Sequence, residues 1–166
     1  MGGYEEIMSL ESVKTDLARF GAADRVLVFD SSSATVALAA AAIGTEPERI
    51  AKSLSFLGDG CCILVVAAGD ARVDNRKFKD RFRRKATMLT AQQVPDLTGH
   101  PVGGVCPFAL PDTAQVWLDE SLRRFPTVYP AAGTPNSAIE LTLEELERFS
   151  GALGWVDVCK GPAPTP

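Results

Sequence analysis

Four apolar residues recur at intervals of three and four positions near the start of the chain: Leu10, Val13, Leu17 and Phe20. This is the period of one face of an amphipathic helix. The pattern predicts a helix over Ser9–Phe20, with Ser9 as its cap and Gly21 as its end. An alanine-rich segment follows the cap-type residues 30–33 and predicts a second helix that ends at Gly44.

Alternating and continuous apolar runs predict the strands. Ile50–Leu57 alternates between two faces, and this alternation places Lys52 on a mostly apolar face. Such a lysine either reaches water from an edge strand or stands at the mouth of a pocket. Residues 58–60 form a hairpin turn, and the apolar run Cys61–Ala68 is typical of a central strand. Further strands are predicted at residues 25–29, 114–118, 128–131, 139–141 and 155–158.

Helical and strand patterns interleave, and short hairpins occur among them. This order favours a mixed α/β fold, in which one domain spans residues 1–159. A short helix is expected from a cap at Thr90 to Leu97, and a capping box at Thr142 begins the last helix. Residues 160–166 are rich in proline and are expected to form a disordered tail.

Positive charge is concentrated in residues 72–85. This segment has two acidic residues and eight basic ones: Arg72, Arg76, Lys77, Lys79, Arg81, Arg83, Arg84 and Lys85. The rest of the chain is acidic, with nine basic and nineteen acidic residues. Phe78 and Phe82 are four positions apart, which places them on one helical face. The segment is therefore either a solvated helix face or a contact for a polyanion.

Composition argues against several classes of protein. No apolar run approaches the ~18 residues of a membrane span, and no signal peptide is expected. The single histidine and the four cysteines, at positions 61, 62, 106 and 159, lack metal-ligand spacing. We therefore expect no metal, no cofactor and no membrane or DNA partner. Reduced thiols are typical of a cytoplasmic protein.

The segment Gly99–Phe108 carries candidate chemistry. Adjacent Gly103 and Gly104 can turn two backbone N–H groups toward one point, as an oxyanion site requires. The plainer interpretation is a tight turn between strands. Cys106 and His100 are the candidate pair in this chain for a thiol nucleophile and its general base. A small buried thiol is the other interpretation of Cys106.

Three segments, in this order along the chain, resemble the YbaK/ProX family of aminoacyl-tRNA deacylases. They are residues 50–54 (IAKSL), 102–108 (VGGVCPF) and 131–142 (AAGTPNSAIELT). This family is related to the editing insertion domain of bacterial prolyl-tRNA synthetase, and the resemblance extends over about residues 9–158. It implies a single domain with a mixed, barrel-like sheet flanked by helices. It also implies hydrolysis of a small mischarged amino acid from tRNA, with tRNA for proline as the expected carrier.

By position, the resemblance assigns catalysis to Lys52, Gly103 and Gly104. A lysine with an ordinary pKa is a poor base near neutral pH, so Lys52 is expected to position and polarise the substrate while a water molecule attacks. The terminal ribose hydroxyl of the tRNA is expected to help the proton transfer. The expected substrate-binding residues are Ser33, Thr35, His100, Val102, Cys106, Pro107, Gly133, Asn136 and Ser137.

The acceptor end of an aminoacyl-tRNA is the expected partner, with an aminoacyl-tRNA synthetase as a candidate second partner. From charge alone, the expected contacts to tRNA phosphates are Arg76, Lys77, Lys79, Arg81, Arg83 and Arg84. Two other classes of function stay open. One is a module that binds a nucleotide or an aminoacyl ligand without catalysis, and the other is a Cys106/His100 thiol hydrolase.

Overall fold

The computed structural model describes residues 4–30 and 35–161, in which helices and strands alternate along the chain. The helices are α1 (Tyr4–Ala18), α2 (Val36–Ile43), α3 (Asn75–Phe82), α4 (Gln93–Thr98) and α5 (Leu143–Ser150). The strands are β1 (Leu27–Val28), β2 (Ile50–Leu57), β3 (Cys62–Ala68), β4 (Arg72–Val73), β5 (Gln115–Asp119), β6 (Thr127–Pro130), β7 (Ser137–Ala138), β8 (Leu141–Thr142), β9 (Gly154–Val156) and β10 (Cys159–Lys160).

A curled six-stranded sheet in the order β8-β6-β2-β3-β5-β9 is the centre of the fold. β2 and β3 form the predicted antiparallel hairpin, while β5 runs parallel to β3 and β9 runs parallel to β5. β3 is buried along its whole length, as expected for a continuous apolar run with strands on both sides. The predicted mixed α/β architecture with a barrel-like sheet is confirmed.

One edge of β2 is only partly paired, and this creates space for a site. β6 pairs with β2 only at Ile50 and Ala51. Farther along the same strand, residues 87–89 take over the edge through the bonds Leu57 N–H to Thr87 O (2.8 Å) and Leu89 N–H to Ser55 O (3.1 Å). Because these two partners arrive from different parts of the chain, β2 is open between them.

The basic helix α3 is amphipathic and is fixed to the sheet by phenylalanines. Phe78 is fully buried, and its ring centroid lies 4.7 Å from those of both Phe56 and Phe82. Asp74 caps the helix by accepting from the N–H groups of Arg76 and Lys77. The apolar face therefore holds α3 in place and leaves its charged face outward.

α1 is longer than predicted and changes the role of Ser9. The helix begins at Tyr4, with Glu5 and Glu6 in its first turn, where carboxylates favour a helix N-terminus. Ser9 consequently lies inside the helix and is 3% exposed, so its prediction as a cap is wrong. Val13 and Leu17 reach the core as expected.

Several helices and strands begin or end at residues other than those predicted. Thr35 caps α2 by accepting from the Leu38 N–H (3.1 Å), whereas the predicted cap residues 31–33 lie outside the described residues. The predicted strand over residues 25–29 is reduced to the exposed pair Leu27–Val28, which bonds to β7. Lys160 pairs with Arg72 in a short ladder, so the expected tail does not begin there. Residues 162–166 lie outside the described part.

Candidate functional site

A cleft of about 340 Å³ lies beside the partly paired edge of β2. Val36, Ala39 and Ile43 of α2 form one apolar wall. Val94 and Val105 contribute further apolar surface. The polar groups in the wall come mainly from β2 and from the two glycine-containing loops, which are residues 101–105 and 131–138. The cleft is therefore a small apolar chamber with polar groups at a few points.

Lys52 borders the cleft, and its ammonium group is held by main-chain carbonyls. Nζ donates to Gly69 O (3.3 Å) and to Ala71 O, both in the turn that follows β3. Burial lowers the pKa of Lys52, while Cys159 and Asp70 act in the opposite direction. An ammonium has three N–H donors, and these two carbonyls use two of them. Lys52 is therefore fixed in direction and does not extend freely into water.

The two adjacent glycines have different tasks. Gly103 lines the cleft with a left-handed φ of +88°, and its N–H makes no hydrogen bond within the described residues. The Gly104 N–H already donates to Pro101 O (2.9 Å). The expected pair of N–H groups aimed at one point is thus corrected to one available donor, because the second N–H closes the turn.

Gly104 is needed for the close approach of the two loops. A Cβ at Gly104 would lie 2.5 Å from Gly133 O, nearer than real Cβ contacts allow. A Cβ at Gly133, which has φ +103°, would in turn lie 2.9 Å from Ser9 O. Gly133 therefore joins the first loop to α1 and does not itself line the cleft.

The second loop is braced by its own side chains. The Thr134 hydroxyl lies 2.7 Å from Ser137 Oγ, and Ser137 Oγ accepts from the Thr134 N–H at 3.2 Å. Asn136 Nδ2 donates to Phe29 O (2.8 Å), and the Phe29 N–H donates to Asn136 O (2.7 Å). Asn136 thus anchors the segment before α2, whereas Ser137 borders the cleft.

His100 is a buried structural residue and not a wall of the cleft. It is 1% exposed, and its Nε2–H donates to Phe108 O (2.7 Å). Because that carbonyl can only accept, Nδ1 is the acceptor for the Ser9 hydroxyl at 2.6 Å. Burial lowers the pKa of His100. His100, expected to bind substrate, does not border the cleft, because its ring is enclosed between α1 and the loop.

Cys106 is in contact with His100, but the pair is buried. Sγ lies 3.6 Å from His100 Nε2 and 3.6 Å from Phe108 O, and Cys106 is 0% exposed. Burial raises the pKa of this thiol to about 12, which keeps it neutral. Pro107 is also buried and lies away from the cleft. Cys106 and Pro107 therefore do not border the cleft, and burial of the thiol argues against a thiol-hydrolase mechanism.

The cleft collects part of the expected set. Thr35, Lys52, Val102, Gly103 and Ser137 all border it, whereas Ser33 lies outside the described residues. Four polar wall residues were missed by the sequence reasoning: Ser53, Ser55, Tyr129 and Thr134. The signal for the two serines was present, because they alternate with Lys52 in the same strand. Tyr129 gave no comparable signal.

The six basic residues expected to bind tRNA divide into two groups. Lys77 donates to Asp157 Oδ1 (3.2 Å) and Cys159 O (3.0 Å), and the Arg81 guanidinium lies 4.7 Å from the Trp117 ring centroid. The other four make no ion pair within residues 4–30 and 35–161: Arg76, Lys79, Arg83 and Arg84. These four are available to an external anion.

The path of the chain connects α3 to the cleft. α3 is capped by Arg83 and is followed by residues 84–86. Met88, which borders the cleft, comes five residues after Arg83.

In the described part of the chain, no three His, Cys, Asp or Glu residues form a group that would hold a metal ion. None of the helices described here has the length and apolar character needed to cross a bilayer.

Comparison with known proteins places this geometry among editing domains. The family model for the aminoacyl-tRNA editing domain matches residues 30–149. The chain is 53% identical over 154 residues to the uncharacterised protein YwhH of Bacillus subtilis (strain 168), covering 92% of this chain and 98% of that protein. A solved structure provisionally described as a trans-editing enzyme for prolyl-tRNA synthetase has a TM-score of 0.83 and 32% identity, covering 92% of this chain and 98% of that chain.

A shorter match links the chain to a synthetase. Over 74 residues it is 31% identical to the proline–tRNA ligase of Leuconostoc citreum (strain KM20). This match covers 44% of the chain and 13% of the ligase. The similarity is therefore to a small part of that enzyme.

Proposed function

Because the chain belongs to the aminoacyl-tRNA editing domain family, we propose that it is a trans-editing deacylase. It hydrolyses the ester between a small, wrongly attached amino acid and tRNA, and tRNA for proline is the substrate we favour. The resemblance to a trans-editing structure and to part of a proline–tRNA ligase supports this choice of tRNA. A tRNA substrate also favours the cytoplasm as the place of action.

The observation that carries the proposal is the position of Lys52 and Gly103 on the same small cleft. Lys52 supplies a positive charge fixed by two carbonyls, and Gly103 supplies an N–H without an internal partner in the described structure. Ester hydrolysis develops negative charge on the carbonyl oxygen, and fixed donors aimed at that charge lower the barrier. Both contributions are stronger where the surroundings are less polarisable than bulk water.

In the proposed mechanism, water attacks the ester carbonyl and no covalent acyl-enzyme forms. Gly103 N–H donates to the developing oxyanion, and the Lys52 ammonium attracts the carbonyl or the neighbouring phosphate. The buried Cys106 thiol cannot reach the ester. The proton from water passes to the departing ribose oxygen, assisted by the neighbouring ribose hydroxyl. Replacing that hydroxyl with hydrogen is therefore expected to slow the reaction strongly.

The size of the cleft fits a small side chain. A volume of about 340 Å³ accommodates a small aminoacyl ester and part of the terminal ribose. The apolar α2 wall limits the space for larger side chains. Apolar pockets discriminate by only about 1–3 kcal/mol per methylene, so removal of small wrong amino acids in a second site is physically reasonable.

The external basic residues of α3 supply a surface for the tRNA backbone. Contacts of this kind are independent of sequence and weaken as salt rises. They position the acceptor end, while the cleft holds the aminoacyl group. The match to part of a proline–tRNA ligase also suggests an aminoacyl-tRNA synthetase as a second partner, although this arrangement does not require one.

The test is deacylation of a panel of purified mischarged tRNAs at catalytic enzyme concentration. We expect several turnovers per enzyme molecule on at least one tRNA that carries a small amino acid. No turnover above the buffer rate for the whole panel would contradict a deacylase.

Binding without catalysis is the second candidate. It is favoured by one observation, the use of the Gly104 N–H inside the turn, which leaves a single backbone donor. This candidate expects tight binding of aminoacyl-tRNA and protection of its ester. Faster hydrolysis in the presence of the protein would exclude it.

A further inference from the structure

The hydroxyl groups of the cleft differ in whether they are already hydrogen-bonded. The Thr134 hydroxyl is paired with Ser137 at 2.7 Å, and the Thr35 hydroxyl accepts from the Leu38 N–H at 3.1 Å. Burial and the neighbouring Glu140 raise the pKa of the Tyr129 hydroxyl. Each of these hydroxyl groups already interacts with a neighbouring group of the protein.

Ser53 and Ser55 are the exceptions in the described part of the cleft. Ser53 Oγ is shielded from solvent and has no hydrogen-bond partner among the described residues. Ser55 is 7% exposed, and its hydroxyl likewise makes no hydrogen bond with the described residues. Both residues border the cleft. A buried hydroxyl without a partner opposes stability, so its presence in a wall calls for an explanation.

The two serines are spaced for joint action. Residues i and i+2 of a strand project from the same face, about 7 Å apart. The face with Ser53 and Ser55 is adjacent to Lys52 in the strand, although Lys52 itself projects oppositely. A rotation about χ1 of a serine redirects its Oγ among three staggered positions. Ser53 can therefore turn its hydroxyl toward a group that enters the cleft.

We propose that Ser53 and Ser55 make the cleft select an aminoacyl group whose small side chain bears a hydroxyl. This inference rests on the deacylase function proposed above and names its substrate class. The serine side chain supplies both a donor and an acceptor, so seryl is bound in preference to alanyl or 2-aminobutyryl. The 2-aminobutyryl group matches seryl in size and replaces its hydroxyl with a methyl, which leaves the wall hydroxyls unpaired.

The test measures binding and does not depend on hydrolysis. Two probes are compared by calorimetry with the full chain: 3′-amide analogues of adenosine that carry seryl or 2-aminobutyryl. We expect the seryl analogue to bind about tenfold more tightly. Ser53→Ala should remove most of this preference, and Ser53→Ala with Ser55→Ala should remove it entirely. Ser12→Ala, on the exposed surface of α1, is the control and should leave the preference unchanged.

The unfolding midpoint separates a binding role of Ser53 from a structural one. Because the Ser53 hydroxyl has no partner among the described residues, the unfolding midpoint of Ser53→Ala should equal or exceed that of the natural chain, whereas a structural role would lower it. Equal binding of the two analogues, failure of both to bind, or an unchanged preference in the double variant would overturn the inference. A preference for seryl without hydrolysis of any ester would contradict the deacylase and leave the selectivity intact. Hydrolysis of an ester without a preference for the seryl analogue would support the deacylase and overturn the proposed selectivity.

Discussion

Gly104 lies directly against the carbonyl of Gly133, at a separation where a Cβ on Gly104 would be 2.5 Å from that oxygen. Gly133 in turn approaches the backbone of Ser9, whose hydroxyl donates to His100. Two loops far apart in sequence and helix α1 are thus joined through close backbone contacts. Gly103 is positioned on the cleft by this packing.

Gly104→Ala is expected to destabilise the fold by roughly 1–3 kcal/mol, because the added methyl overpacks the contact with Gly133. The unfolding midpoint in urea, measured by circular dichroism, checks this. Gly161→Ala is the matched control, since no described residue lies within 4 Å of a Cβ there. Equal midpoints for the natural chain and Gly104→Ala would show that the loops can separate without cost.

Cys106→Ala is expected to retain most deacylase activity, because the thiol is buried, has a pKa of about 12 and does not border the cleft. Its stability should fall slightly, as the smaller side chain leaves a small cavity. Initial rates on a mischarged tRNA measure the first effect. A thioester trapped on Cys106, or a complete loss of activity in a folded variant, would reinstate a thiol mechanism.

Arg76→Gln with Lys79→Gln is expected to weaken tRNA binding. Both side chains are exposed on α3 and make no ion pair within the described residues. Each lost phosphate contact should reduce the slope of log affinity against log salt by about 0.7–0.9. Filter binding at several salt concentrations measures this slope. The double variant Lys14→Gln with Arg148→Gln, on α1 and α5, removes the same charge and should leave the slope unchanged.

An aminoacyl-adenosine separates tRNA binding from chemistry in that pair of variants. It lacks the tRNA body, so its hydrolysis should be unaffected by the α3 substitutions. An equal loss of activity on both substrates would place these residues near the reacting ester instead.

Glu145 links stability to pH. It completes the capping box of α5 and pairs with Arg25 at 2.6 Å, which lowers the pKa of Glu145 to about 2. Because the folded-state pKa lies below the unfolded value, the carboxylate stabilises the fold above the unfolded pKa. This stabilisation is lost as pH falls from about 5 to about 2. Glu145→Gln should therefore be less stable at pH 7 and approach the natural chain near pH 2, as measured by urea unfolding. A pH-independent difference would contradict this assignment.

The sequence predicted those parts of the fold that depend on local pattern. β2 begins and ends at the predicted residues, and the capping box at Thr142 is present. Ser9 was misassigned because a serine before an apolar run has the signature of a cap, whereas its true partner, His100, is 91 positions away. Rules based on local sequence pattern cannot detect a contact between residues so far apart in the chain.

The candidate site was only partly predictable for the same reason. Three segments pointed to Lys52 and Gly103, both of which border the cleft. The pattern could not show that the Gly104 N–H is used by Pro101, nor that residues 106–108 turn into the core. These contacts depend on how the loops pack against each other, and that packing cannot be read from local patterns in a single sequence.

Lys52 tests the account most directly. The measurement is the single-turnover rate of deacylation at saturating enzyme, which separates chemistry from tRNA affinity, for the natural chain, Lys52→Ala and Lys52→Met. Lys52→Met keeps much of the apolar stem, and urea unfolding confirms that each variant is folded. We predict a rate loss of about 100-fold or more in both variants, as for the removal of other groups that stabilise developing charge. An undiminished rate in folded Lys52→Ala would contradict the account.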